Sequence, residues 1–343
     1  MTRAVSAQMV TRCRWLALPL LALLGLVVLQ PGQVPVEALL QRDTTIEDRS
    51  HLAAKAESAL LISVVREGEV VLVAGDHGLI LRSTDGGKSF RQIVTPTRRM
   101  LTSIVLGENG IAFAAGHDTT VLRSLDRGLT WQSVHCDPEA NLALFTIQSI
   151  DGKRIVAAGS FGTVMISDDG GDNWRQQLIS EDGPHIFSLQ NTTSRLIATG
   201  EFGSIFESTN GGDTWQLLES PYDGSFFHIM ALEPSTLLVM GLRGNLWEGE
   251  PGNWKRIETS SEASLFGGCR LSDSGIVVVG DEGLALRRSP EGRWQDISPG
   301  ERRILSSVVE LPGGELLIVG EKGFVRPQPR DDGAEGSSQE GRR

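Results

Sequence analysis

Apolar and polar residues alternate in short runs along most of this chain, and Gly, Asp, Asn and Ser interrupt the runs. Period-two alternation bounded by turn residues predicts β-strands, and long helical patterns are scarce. One unit shows the layout. Phe145-Thr146-Ile147-Gln148 predicts a first strand, Arg154 to Ala158 a second, Val164 to Ser167 a third and Trp174 to Ile179 a fourth. The unit returns along the chain, led by Gly75, Gly116, Gly159, Gly200, Gly241, Gly280 and Gly320, at spacings of 41, 43, 41, 41, 39 and 40 residues. A period of about 40 residues built from short strands signals a β-propeller with one blade per repeat. The expected fold class is therefore all-β, a seven-bladed propeller over residues 58–326.

Each clear repeat opens with Gly-x-x-Gly, with Thr119 in place of the second glycine in the repeat led by Gly116, and closes with Ser-x-Asp-x-Gly-x-Thr-Trp or a close variant. The closing segment starts at Ser83, Ser124, Ser167 and Ser208, and its aromatic residue falls fifteen positions after the leading glycine. This is the Asp-box. It predicts a turn between third and fourth strands, in which Asp85, Asp126, Asp169 or Asn210 accepts backbone N–H bonds. Trp131, Trp174 and Trp215 are then expected to wedge between neighbouring sheets. The role of these residues is read as structural. The seventh repeat stops at Phe324-Val325-Arg326 before Pro327, so no fourth strand can be read there. Residues within Leu40–Glu47, part of a linker over 39–57, are candidates for the strand that closes the ring and removes an edge. A helical linker over Ile46–Ala59 competes for part of that region.

Composition adds the outer limits. Acidic residues outnumber basic ones by 43 to 32, a net charge of −11, without the basic footprint of a nucleic-acid binder. Arg12 and Arg14 precede an uncharged stretch from Trp15 to Leu29, which predicts export through a signal peptide or membrane anchor within residues 1–38. Both alternatives put the propeller in a periplasmic or lumen-like compartment. Without residues 1–38, which hold Arg3, Arg12, Arg14 and Glu37, the net charge is −13. The polar tail 327–343 is rich in Gly, Ser and charge and is expected to be disordered. Cys13, Cys136 and Cys269 give no disulfide framework and are read as buried thiols.

Strand direction sorts the loops. The Gly-x-x-Gly hairpins and the loops entering each first strand share one face, and the Asp-boxes share the other. First strands align on Leu61, Leu101, Phe145, Phe187, Phe227, Phe266 and Leu305. The next residues, Ile62, Thr102, Thr146, Ser188, His228, Gly267 and Ser306, are then expected to face a narrow, wet channel. On the hairpin face, Phe161 and Phe202 occupy equivalent tips of successive repeats. Beside Tyr222 they form a candidate protein-binding patch, or fold back and pack locally. Arg243 sits at another tip, and Arg98, Arg99, Arg302 and Arg303 lie in entering loops.

Asp-boxes at propeller spacing, the strand-turn signature at Val71 to Gly78 and Ile155 to Gly162, and the leader together resemble the photosystem II assembly and stability factor family. The resemblance covers about residues 58–326. It implies a non-enzymatic, monomeric propeller that binds a protein, in particular a membrane-protein subunit undergoing assembly, through an arginine-rich patch. Arg98-Arg99 and Arg302-Arg303 are the nearest counterparts of that patch here. No cofactor or metal is implied, and the six His include no pair at ligand spacing.

Two other readings stay open. Asp-boxes are prominent in sialidases, so a glycoside hydrolase is one, yet Tyr222 is the sole Tyr and no pair of carboxylates is singled out. The other is a permanent accessory subunit of an exported enzyme or transporter.

Overall fold

The computed structural model describes residues 48–327, apart from Glu108, Pro234 and Ser260. These residues form seven antiparallel sheets in chain order: six have four strands and the last has three. In the third sheet the strands are Leu144–Ser149, Ile155–Gly159, Thr163–Ser167 and Arg175–Leu178, from the channel to the rim. The second strand of each blade reads as a continuous apolar run for a physical reason. Ile155–Gly159 and its counterparts are covered on both faces by neighbouring sheets, and every residue of that strand is buried. The fourth strands, such as Arg175–Leu178, are short and mostly exposed.

Seven apolar clusters fill the seven gaps between successive sheets. The ring closes without a covalent link, where Val71, Val73 and Leu81 of the first blade meet Leu317 and Val319 of the seventh. Asp-box aromatics belong to these gaps. Trp131 packs with Val70, Leu72 and Ile80 of the preceding blade, and Trp174 and Trp215 hold the same position one and two blades on. Phe90 takes the place of the indole at the closure and stacks on Phe324, with ring centroids 4.6 Å apart.

Within the second Asp-box, Ser124 Oγ donates to Asp126 Oδ1 (2.8 Å) and accepts the Gly128 N–H (2.9 Å). Asp126 also accepts the Thr130 N–H (2.8 Å) and the Thr130 hydroxyl (2.6 Å). Trp131 Nε1 donates to the Gly128 carbonyl at 3.1 Å. Burial pulls the Asp126 carboxyl upward, but the bonds from Thr130 and Ser124 outweigh it and hold the group below its ordinary range. Asp169, which accepts the Asn173 side-chain and backbone N–H groups, is drawn down to about 2. Asn210 accepts the Thr214 N–H at 3.0 Å without a charge, so the fourth box keeps the turn and loses the titration.

One feature of the amino-terminal segment differs from expectation. Within its described part, the linker carries only a three-residue 3-10 turn, Ala56–Ser58, rather than a helix. The chain before it bonds to the rim of the first blade instead, through Ser50 N to Thr95 O (3.0 Å) and Ala53 N to Gln92 Oε1 (2.8 Å). The turn then packs on the last strand, Gly323–Val325, where a Cβ on Gly323 would lie 1.8 Å from the Glu57 carbonyl oxygen. The expected closing strand Leu40–Glu47, the leader 1–38 and all of the tail beyond Pro327 lie outside the described residues. Cys13 does too. Cys136 is exposed rather than buried, since it sits beyond the end of a rim strand. Cys269 is half-buried, and burial beside Glu310 pushes its thiol up to about 12.

Candidate partner-binding face

Seven equivalent backbone bonds define the hairpin face. In each blade the residue after the leading glycine donates its N–H to the carbonyl just before the first strand, as in Ser160 N to Ala143 O (2.8 Å) and Glu201 N to His185 O (3.0 Å). The leading glycine is there because of this close approach. A Cβ on Gly159 would lie 1.9 Å from the Ala143 carbonyl oxygen, and the other six leading glycines meet the same obstacle. Each hairpin tip then turns through the left-handed region, which L-residues other than Asn and Asp avoid. Phe161 (φ 53°) and Phe202 (φ 55°) hold that conformation and stand out from the face, 60% and 76% exposed. Phe161 N–H donates to His185 Nδ1 at 2.8 Å, and the two rings meet edge to face at 4.8 Å. Local packing of Phe161 is therefore real but partial, and Phe202 stays open.

Tyr222 is less open than the two tips. Its ring folds over Gly224, with the hydroxyl 2.2 Å from where a Cβ there would sit, and meets Phe226 at 5.8 Å. The side chain is half-buried in the gap behind it. Its backbone still abuts the Phe202 hairpin, since a Cβ on Gly203 would lie 1.9 Å from the Tyr222 carbonyl oxygen.

The arginines split in the same way. Arg98, Arg302 and Arg243 are exposed, whereas Arg99 and Arg303 are half-buried. Arg99 Nε bonds Asp118 at 2.6 Å and its Nη1 reaches Asp48 at 3.4 Å. Arg303 reaches the Phe324 carbonyl at 3.5 Å, and Arg302 is ion-paired with Glu282. Arg99 and Arg302 are thus paired with acidic neighbours, and an exposed pair such as that of Arg302 contributes little to stability.

The channel departs furthest from the sequence reading. Every first strand carries a bulge against its second strand, and the extra residues are Ile62, Thr102, Phe145, Phe187, Phe227, Phe266 and Ser306. The fully buried residues one position earlier are Leu61, Leu101, Leu144, Ile186, Phe226, Leu265 and Leu305. The alignment of Phe145, Phe187, Phe227 and Phe266 with the buried leucines was thus displaced by one. A bulge lets two consecutive side chains face the same side. Both Phe145 and Thr146 line the channel, as do the corresponding pairs of the other blades, around a cavity of about 730 Å³.

Half of that mouth is aromatic. Adjacent ring centroids lie 5.7 Å apart from Phe145 to Phe187, 5.2 Å from Phe187 to Phe227 and 5.3 Å from Phe227 to Phe266. His185 links the arc to the rim, 6.1 Å from Phe145 and 4.8 Å from Phe161. Sequence carried a signal for this: Leu144-Phe145, Ile186-Phe187, Phe226-Phe227 and Leu265-Phe266 are doubled apolar residues that break period two.

Polar groups at the next level are spent on the ring itself. Innermost strands have a free edge, and hydroxyls of one blade satisfy it on the next: Ile104 N–H donates to Ser63 Oγ (3.3 Å), Ile147 N–H to Ser103 Oγ (3.3 Å) and Leu189 N–H to Thr146 Oγ1 (3.1 Å). Ser188 Oγ lies 3.5 Å from His228 Nδ1. Burial pushes the His228 imidazole down to about 4, against a smaller opposing pull from a bond to the Gly268 backbone. Because the folded value lies below the ordinary one near 6.5, the unfolded chain takes up the proton first. Stability is then full above about pH 6.5 and declines as pH falls toward 4. The ring keeps some channel exposure, so we expect a loss of about 2 kcal/mol rather than the full value of such a shift. Urea unfolding across that window should show the decline, and His228→Gln should flatten it. An unchanged acid limb in the variant would place the loss elsewhere.

Among the described residues, no three His, Cys, Asp or Glu side chains converge on a site for a metal ion.

No match is found among curated proteins. The family model of photosynthesis system II assembly factor YCF48 matches residues 90–267. A solved structure of YCF48 bound to D1 peptide is 15% identical, with a TM-score of 0.66 over 82% of this chain and 96% of that one. YCF48 from Cyanidioschyzon merolae is 13% identical, with a TM-score of 0.66 over 83% of this chain and 100% of that one. An ancestral GH74 enzyme is 14% identical, with a TM-score of 0.63 over 81% of this chain but only 45% of the enzyme. At these identities the three structures speak for the fold alone. The family match spans more than half of the sequence, and the chain belongs to the family of photosynthesis system II assembly factor YCF48.

Proposed function

We propose that this member of the YCF48 family is a non-enzymatic scaffold that captures a protein segment on its hairpin face. The segment belongs to a membrane-protein subunit, and capture assists assembly or stability of the complex that receives it. One observation carries the reading: Phe161 and Phe202 stand exposed in a left-handed conformation at equivalent tips of adjacent blades, beside an aromatic channel mouth. A relative solved as YCF48 bound to D1 peptide supports a protein segment as the partner class. The leader in residues 1–38 would bring the propeller to the exported side of that membrane. By contrast, the Asp-box carboxylates are committed to their own turns, as the bonds around Asp85 and Asp126 illustrate. The half-buried Tyr222 lacks the open setting of a nucleophile.

Gentle cross-linking of the full-length chain in its host membranes, followed by solubilisation, tests the reading. A membrane-protein subunit should be recovered with the chain in substoichiometric amount, as for a transient assistant. Stoichiometric recovery with one mature enzyme or transporter would favour a permanent subunit instead, and recovery of no membrane protein would contradict both.

A further inference from the structure

The channel mouth is chemically unlike the rest of the hairpin face, and its two halves differ from each other. We propose that it is a pocket for a large apolar side chain of an extended polypeptide, seated on the half-ring of Phe145, Phe187, Phe227 and Phe266. This rests on the protein-capture reading above and names what the captured segment must carry.

Chemistry of the lining selects an apolar guest. Four rings in mutual contact at 5.2–5.7 Å present a continuous aromatic wall on one side of the cavity. Four of the lining hydroxyls already serve the ring. Three accept N–H groups of the next blade, and Thr102 Oγ1 donates to backbone carbonyls at 2.6 and 3.1 Å. Among the described lining residues there is no carboxylate to act on a glycosidic bond. A pocket of about 730 Å³ walled this way rewards burial of apolar area rather than new hydrogen bonds.

The outward path selects a polypeptide. The aromatic wall does not end at the mouth but continues through His185 to Phe161 on the rim, each step a ring contact of 6.1 Å or less. An extended chain places alternate side chains on one side about 7 Å apart, which suits one residue in the channel and another on the rim. An acyl chain would gain from the channel but would leave the rim aromatics without a matched partner. All four rings stand on innermost strands of the propeller, so the pocket is formed before the partner arrives.

Site-specific photocross-linking in the full-length chain, in host membranes, tests this. Two variants are compared, with p-benzoylphenylalanine in place of Phe227 in the channel or of Phe202 on the rim. Each is first checked for wild-type thermal unfolding. The channel probe should attach to a polypeptide, at or next to a Phe, Leu, Ile, Met, Val or Trp located by peptide mass spectrometry. A Gly-Ser peptide carrying two phenylalanines at alternate positions should suppress that adduct about fivefold or more, whereas the same peptide with serines should not. A lipid adduct at the channel probe, attachment next to charged residues only, or equal suppression by both peptides would overturn the proposal. So would polypeptide adducts at the rim probe with none in the channel, while protein capture itself would stand. Absence of polypeptide adducts from both probes would overturn both readings.

Discussion

Gly159→Ala is expected to destabilise the propeller by about 3–5 kcal/mol, the range of a severe core defect. The added Cβ would lie 1.9 Å from the Ala143 carbonyl oxygen and 2.7 Å from the Leu144 Cα, both backbone atoms with no freedom to swing aside. Its φ of −170° is ordinary extended backbone, so the cost comes from the contact and not from the torsion. Relief requires opening the bulge at Phe145, which also carries the Ser160 N–H bond to Ala143. Gly68→Ala provides the contrast. Gly68 has a left-handed φ of 58° and nothing within 4 Å of the new Cβ, so only the torsional cost of about 1 kcal/mol remains. Urea unfolding followed by Trp fluorescence separates the two. Equal, small effects would mean that the hairpin-to-strand contact is not what fixes the bulge.

Replacing both Phe161 and Phe202 with Asn is expected to weaken partner capture by about 30-fold or more while leaving the fold intact. Exposed aromatic anchors at the centre of an interface each contribute about 1–2 kcal/mol or more, and two of them exceed that ratio when both are lost. Stability should stay within about 1 kcal/mol of wild type, because Asn tolerates the left-handed tip better than Phe does. The edge contact of Phe161 with His185 is the small loss that offsets this gain. Leu125→Ser serves as the control: this residue is 65% exposed, within an Asp-box on the opposite face. Capture measured by pull-down with the cross-linked subunit should fall in the Phe variant alone. Equal capture by all three proteins would remove the hairpin face from the account.

What was legible in the sequence follows from which forces act locally. Seven blades were readable because Gly-x-x-Gly and the Asp-box are solved within one repeat, by a backbone clash and by hydrogen bonds between neighbours in sequence. Trp131 was readable as a wedge for the same reason, since an apolar ring beside an Asp-box has one gap to fill. The channel was not. Phe145, Phe187, Phe227 and Phe266 had been aligned with Leu61, Leu101 and Leu305, and the bulge that displaces them arises from pairing between strands. The Pro-Tyr-Asp-Gly turn gives no hint in the sequence that the Tyr222 ring covers Gly224. The engagement of Arg99 and of Arg302 likewise depends on carboxylates brought from other loops, Asp118 and Glu282. Long-range partners of this kind leave no periodic trace.

The central claim is that one face of the ring takes a polypeptide while the other holds the ring together. Hydrogen–deuterium exchange on the full chain, free and with its cross-linked subunit, tests it most directly. The account predicts added protection in the hairpins around Phe161 and Phe202 and in the first strands that carry Phe187 and Phe227, with the Asp-box turns unchanged. Protection confined to the turns around Asp85, Asp126 and Asp169 would contradict it.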